Sequence, residues 1–154
     1  MCTQHYTRLF SFLTSFFVLS SLIPLQAQTK DTISFKVMSY NVENLFDTQD
    51  DSLKNDNEFL PTAVRHWDYY KYRKKLDNLA KVIMAVGEEE IPTLVALCEV
   101  ENDSVLYHLT RYSALREADY RYLITESKDE RGIDVALLYQ RHLFKPITQH
   151  AYQV

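Results

Sequence analysis

The eight residues TLVALCEV, Thr93 to Val100, are the strongest constraint on how this chain folds. A nearly unbroken apolar run of this length, opened by Pro92, is a strand with cover on both faces rather than a half-solvated one. Before it, from Trp67, apolar residues recur every three or four positions at Tyr72, Leu76, Leu79, Ile83 and Val86, the spacing of a helix. Gly87 stands where its C-terminal cap belongs. Earlier still, Ile33, Phe35 and Val37 alternate with Ser34, Lys36 and Met38, and this first strand is expected to end near Asn41. A strand, a helix and a second strand make a crossover unit with the two strands parallel.

Later segments extend the pattern. Asn102 or Asp103 can cap a second helix whose stripe is Val105, Leu106, Leu109, Tyr112 and Leu115. Tyr120 to Thr125 and Ile133 to Tyr139 then read as an antiparallel hairpin with Gly132 in its turn. Between first strand and first helix, Thr48 to Val64 is polar, acidic and broken by Pro61, hence a long surface loop.

The N-terminus carries an address. Arg8 precedes the apolar run Leu9 to Pro24, too short and too rich in serine for a spanning helix, and LQAQTK offers a cleavage site after Ala27. Residues 1–27 are therefore expected to be a signal peptide, with an uncleaved N-terminal anchor as the alternative, and 28–154 the folded part, exported to the periplasm or beyond. Of 17 basic residues only Arg8 falls in the leader, leaving 16 against 21 acidic ones, a formal charge of about −5. Binding of nucleic acid by bulk electrostatics is excluded, so any grip on a polyanion is local or metal-assisted. Cys98 alone remains after the leader and forms no internal disulfide.

Two glycines in the whole chain rule out a glycine-rich phosphate loop, and no Cys and His spacing suits zinc. What stands out is Glu99, a carboxylate where the strand pattern calls for another core side chain. Ligands collect at the carboxyl ends of crossover strands, and Asn41 holds the matching place on the first strand. Neighbouring strands would set Asn41 and Glu99 roughly 5 Å apart. A carboxylate and an amide oxygen are hard donors, suited to Mg2+, Mn2+ or Ca2+. Each also has an ordinary reading, Asn41 as a strand terminator and Glu99 as an exposed edge residue.

NVENLF with Asn41, LCEVEN with Glu99, and RGIDVALLY from Arg131 to Tyr139 resemble, in order and spacing, the N-terminal half of the endonuclease/exonuclease/phosphatase superfamily. The resemblance covers about Phe35 to Tyr139. It implies an α/β (α+β) fold, a four-layer αββα sandwich of two packed sheets, with only the N-terminal half present. It maps Asn41 and Glu99 onto a metal and phosphate site served by Mg2+ (or Mn2+/Ca2+). The water-activating Asp of a Gly-Asp-x-Asn motif and the His of a Ser-Asp-His motif are absent here and are expected beyond Val154. The implied function is a metal-dependent phosphodiesterase, foremost an extracytoplasmic endonuclease with nucleic acid as substrate. A phosphatase or phospholipase of the same superfamily, or a non-catalytic exported domain, is the alternative.

Arg131 is the candidate phosphate contact, or else a turn arginine pairing with Asp129 or Glu130. Asp134 reads as a polar-face residue. The cluster WDYYKYRKK could face nucleic acid, but Tyr72 shares the core stripe, so packing explains it better. His66, His108, His142 and His150 lie outside any catalytic motif. No stable membrane association is expected after leader removal, and the sequence points to no particular protein partner.

Overall fold

The computed structural model describes residues 34–152, so the leader and its cleavage site lie outside the described residues. Four strands form one mixed sheet: β1 (Val37–Leu45), β2 (Leu94–Val100), β3 (Tyr120–Ile124) and β4 (Asp134–Gln140), in the order β1-β2-β4-β3. The first two are parallel, and β4 runs antiparallel to both β2 and β3. Helix α1 (Tyr69–Val86) makes the crossover from β1 to β2, and α2 (Asp103–Arg111) links β2 to β3. The fold is α+β as expected, with one sheet and one helical layer of the sandwich among the described residues.

Side-chain alternation explains which face meets the helices. Met38 and Val42 of β1, Val95 and Leu97 of β2, and Ala136 and Leu138 of β4 are buried against Tyr72, Leu76, Leu79 and Ile83 of α1 and Val105, Leu106 and Leu109 of α2. Their neighbours on the other face, Leu94, Ala96, Cys98, Leu137 and Tyr139, are half-buried. Cover on both faces of β2, expected from its sequence, is thus realised on the helical side among the described residues. Burying Leu97 or Leu106 completely removes an aliphatic side chain from water, worth about 1.5–3 kcal/mol each.

Side chains cap both helices. Asp68 accepts a hydrogen bond from the Lys71 amide at the start of α1, and Asn102 accepts one from Val105 at the start of α2, as the sequence suggests for Asn102. The acidic loop folds back on the hairpin through Asn55 N–H to Glu130 C=O at 2.8 Å, with a short 3-10 turn at Asn57–Phe59.

Four expectations change. The first strand continues past Asn41 to Leu45, because Leu45 returns to the core after an irregular stretch. Val86 is exposed at the last turn of α1, and Tyr112 lies just past α2, stacked against His108 at 5.4 Å rather than in the core. Gly87 does end α1, but with φ −71°, a conformation open to any residue; Glu88 takes the left-handed one at φ 57°. Space is what Gly87 supplies. A Cβ there would sit 2.5 Å from Glu90 O and 2.6 Å from Ile91 Cα, where the chain doubles back towards β2.

Gly87→Ala is accordingly expected to destabilise the fold by about 1–3 kcal/mol, as overpacking does. A position judged by φ alone would instead gain up to about 1 kcal/mol. Urea denaturation of the two proteins gives the sign.

Candidate active site

β1 and β2 run in register as far as the pair Asn41 and Cys98, and both then leave it. The break is a double bulge. Glu43, Asn44 and Glu99 take left-handed backbone angles, φ 54°, 59° and 65°, a conformation that costs a non-glycine residue roughly 1–3 kcal/mol. Such strain persists only where surrounding groups hold it.

They do so through side chains. Asn41 Nδ2 donates to Glu99 Oε1 at 2.9 Å, and the Asn44 amide donates to Glu99 Oε2 at 2.9 Å. The Glu43 amide donates to Asn41 Oδ1 at 2.8 Å. From α1, Lys75 Nζ donates to the carbonyls of Glu43 and Asn44 at 2.6 and 2.9 Å. Trp67 Nε1 holds the carbonyl of Phe46, two residues on, at 3.1 Å, and Lys75 lies over the Trp67 ring. Bulge amides and carbonyls thus find partners without a neighbouring strand.

Asn41 and Glu99, placed by sequence at neighbouring strand ends, are therefore in direct contact. Asn41 offers Glu99 its amide nitrogen, so in this arrangement it orients the carboxylate. The lysine beneath them is half-buried. Desolvation pulls its pKa down, opposed by the charges of Glu43 and Glu99.

Arg131 comes from the turn before β4. Its Nε and Nη2 meet Asp129 at 3.2 Å each, the turn pairing considered from sequence, and Nη1 reaches Asn44 Oδ1 at 3.1 Å. The guanidinium thus touches the same bulge as Glu99. Hydrogen bonding between the two partners raises the Arg131 pKa and lowers that of Asp129. Asp134 serves the turn: its Oδ1 accepts from Thr125 Oγ1 at 3.0 Å and from the Ser127 amide at 2.5 Å, while burial raises its pKa. His108 is paired with the Tyr72 hydroxyl at 2.8 Å and His150 with Thr148 at 3.1 Å, neither with Asn41 or Glu99.

Sequence reasoning passed over Asn44 and Lys75. Asn44 is polar inside a strand and Lys75 follows the buried Tyr72 by three residues, which turns it inward; those were the available signals. Part of WDYYKYRKK serves the site from behind while Tyr69 and Tyr70 remain exposed. Glu101, immediately after β2, accepts the Asp47 amide at 2.6 Å. Burial, and then the charges of Asp47, Asp56 and Asp51, push its pKa up to about 8 against the pull of that amide.

Comparison with known proteins gives one match: a family model described as Endonuclease/Exonuclease/phosphatase family covers residues 36–154. No curated protein and no solved structure matches the chain.

Two outcomes are expected. Lys75→Met leaves two bulge carbonyls without a donor and costs about 1–3 kcal/mol, read by urea denaturation. Glu101 has an ordinary pKa of 4.5 and a folded value of about 8, so between them the folded chain holds a proton that the unfolded chain has lost. Metal-free stability from this group therefore falls as pH rises from 4.5 to about 8, and Glu101→Gln flattens that slope in thermal melts.

Proposed function

The chain belongs to the endonuclease/exonuclease/phosphatase family, and from that premise we propose that it forms part of an exported, metal-dependent endonuclease that hydrolyses phosphodiester bonds in nucleic acid. Members of the family are hydrolases and typically use divalent metals. The observation that carries the reading is the contact between Asn41 and Glu99 at the carboxyl ends of two parallel strands, with Arg131 on the same bulge.

The donor set suits magnesium. Glu99 uses two of the roughly four lone-pair positions of its carboxylate on Asn41 and Asn44, leaving two for a cation. Asn41 Oδ1 accepts one bond and keeps a second lone pair. No group of three Asp, Glu, His or Cys side chains suited to a metal occurs among the described residues. That is too few for zinc, whereas magnesium takes one or two carboxylates, keeps several waters and shares the substrate phosphate. Glu99 and Asn41 would hold the ion, which when bound draws charge from a phosphoryl oxygen.

The remaining groups orient and bind. Three of the five guanidinium N–H groups of Arg131 are spent on Asp129 and Asn44, and two are left for a phosphate oxygen. Asp129 fixes the plane of the guanidinium, so little side-chain freedom is lost on binding. Lys75 is committed to the backbone and keeps the bulge open towards solvent rather than gripping the substrate. With a formal charge of about −5 on residues 28–154, the polyanion is held at this one place. Activation of water falls to an Asp and a His outside Met1–Val154 in this reading, since neither later motif occurs in the sequence.

Magnesium binding measured by calorimetry tests the assignment directly. The chain is expected to bind Mg2+, and Glu99→Gln to abolish that binding, while plasmid DNA stays intact. Joined to a segment with the two later motifs, it is expected to nick plasmid in Mg2+ but not in EDTA, with Glu99→Ala lowering the rate on the order of 100-fold or more. Cleavage of a phospholipid or inositol phosphate in place of DNA would transfer the assignment to those substrates.

A further inference from the structure

The solvent side of the two helices carries a group of rings that the core does not use. Tyr107 of α2 and Tyr112, the residue that follows the helix, meet edge to face at 5.5 Å and 89°. His108 stacks on Tyr112 at 5.4 Å and 28°. Tyr107 is 45% and Tyr112 54% exposed, so large parts of both phenol rings face water. The group is held in place from the core and from the neighbouring helix: the Tyr72 hydroxyl pairs with His108 Nδ1 at 2.8 Å, and Arg73 Nη2 of α1 donates to the Tyr112 carbonyl. Tyr69, 66% exposed, stands one helical turn before Arg73 on the same side of α1.

Core packing accounts for Tyr72 but for none of the exposed rings. Aromatic residues scattered singly over a surface need no explanation, whereas rings in mutual contact, joined across two helices by an arginine, form a preformed apolar surface. Charge selects what that surface fits. The segment YYKYRKK, Tyr69 to Lys75, holds four cations and no acid in a chain that is otherwise acidic. They occupy the first two turns of α1, the end at which the helix dipole disfavours positive charge, and no acidic side chain follows the Asp68 cap in the first turn. Lys71 is spent on the Arg65 carbonyl and Lys75 on the bulge. Arg73 makes its one bond to Tyr112 and, like Lys74, forms no ion pair among the described residues, not even with Asp77 one turn on. Asp103, one turn before Tyr107, is unfavourable to phosphate on the α2 side, so a polyanion would run over α1.

We propose that Tyr112, Tyr107 and Tyr69, with Arg73 between the helices, form a stacking platform for unpaired bases of a single-stranded nucleic acid. A base lies flat on a tyrosine ring, and its phosphate meets the unspent N–H groups of Arg73 and the Lys74 ammonium. A neutral sugar could use the rings but would leave the cations idle. This inference rests on nucleic acid being the substrate of the Glu99 site and narrows it to strands with unpaired bases. One helix serves both places: Lys75, which reaches the bulge that presents Glu99, follows Tyr69 by about 9 Å along the α1 axis.

Fluorescence anisotropy of labelled oligothymidylate of about ten nucleotides, with the chain in EDTA at low salt, tests the platform without metal or cleavage. Saturable binding is expected, and a base-free deoxyribose phosphate chain of the same length is expected to bind at least about 10-fold more weakly. Tyr112→Ala is expected to weaken binding about 10-fold, while Tyr112→Phe, which keeps the ring, preserves it. Arg73→Gln is expected to lower the slope of log Kd against log salt by about 0.7, the share of one phosphate on a single strand. Oligouridylate is run in parallel: binding of either supports the platform, and the tighter of the two names the sugar. Both variants are expected to keep the magnesium binding of the parent chain. Loss of magnesium binding with intact oligonucleotide binding would therefore sink the nuclease reading alone, and the converse result this inference alone. Absence of binding to both oligonucleotides, equal binding of the base-free chain, an unchanged Tyr112→Ala, or preference for a neutral oligosaccharide overturns the proposal. Where circular dichroism shows Tyr112→Ala unfolded, Tyr69→Ala, at the exposed first position of α1, decides.

Discussion

One carboxylate holds two strand ends in a shape that neither strand would keep alone. Glu99 sits at φ 65° and accepts from Asn41 and Asn44, which belong to a strand distorted at Glu43 and Asn44. Glycine would adopt these angles without penalty, but glycine has no oxygen to offer. The chain tolerates three strained residues because their side chains and amides satisfy one another across the gap between β1 and β2. Strain and chemistry therefore have a common origin: the backbone that leaves the ladder is the backbone that exposes a hard oxygen donor at the sheet end.

Support comes from behind as much as from within. α1 packs its apolar stripe on the sheet and sends Lys75 to the carbonyls of Glu43 and Asn44, while Trp67, just ahead of the helix, reaches that of Phe46. Core packing of Tyr72 and Leu76 thus fixes the height at which the lysine arrives. Arg131 closes the arrangement from the hairpin turn, tethered by Asp129 and resting on Asn44. Three elements far apart in sequence meet on three residues of β1, Asn41, Glu43 and Asn44. The site is as rigid as the crossover unit that carries it.

Much of this was legible in the sequence, for reasons that are local. Period-two and period-3.6 patterns placed both crossover strands and the two helices, and parallel pairing followed from the connection, bringing Asn41 beside Glu99. The cap at Asn102 and the turn at Gly132 were legible because their chemistry lies within a few residues. What escaped was set by distant partners. Nothing near Asn41 signals that the strand continues to Leu45, since the bulge is stabilised by Lys75, more than thirty residues later, and by Glu99. Gly87 suggested a backbone angle and delivered room for Glu90 and Ile91. Asn44 meets Arg131 across 87 positions, beyond the reach of any spacing argument.

Charge divides the end of β2 into two neighbourhoods. On the Glu99 side, Lys75 and Arg131 stand among the carboxylates, and the amides of Asn41 and Asn44 share the load. On the Glu101 side the acidic loop brings the Asp47 amide onto Glu101 and sets Asp51 and Lys54 along one cavity with it, while Asp56 is buried with an oxygen unpartnered. The two sides meet within three residues, because Asn44 belongs to the bulge and Asp47 donates to Glu101, while Phe46 between them stacks on Phe59 of the loop at 4.1 Å. The Asp47 amide on Glu101 and the Trp67 indole on the Phe46 carbonyl tie this stretch down immediately after the bulge that presents Glu99. Electrostatic compensation of the loop and geometric precision at the strand ends are, on this structure, one problem solved along a single stretch of backbone.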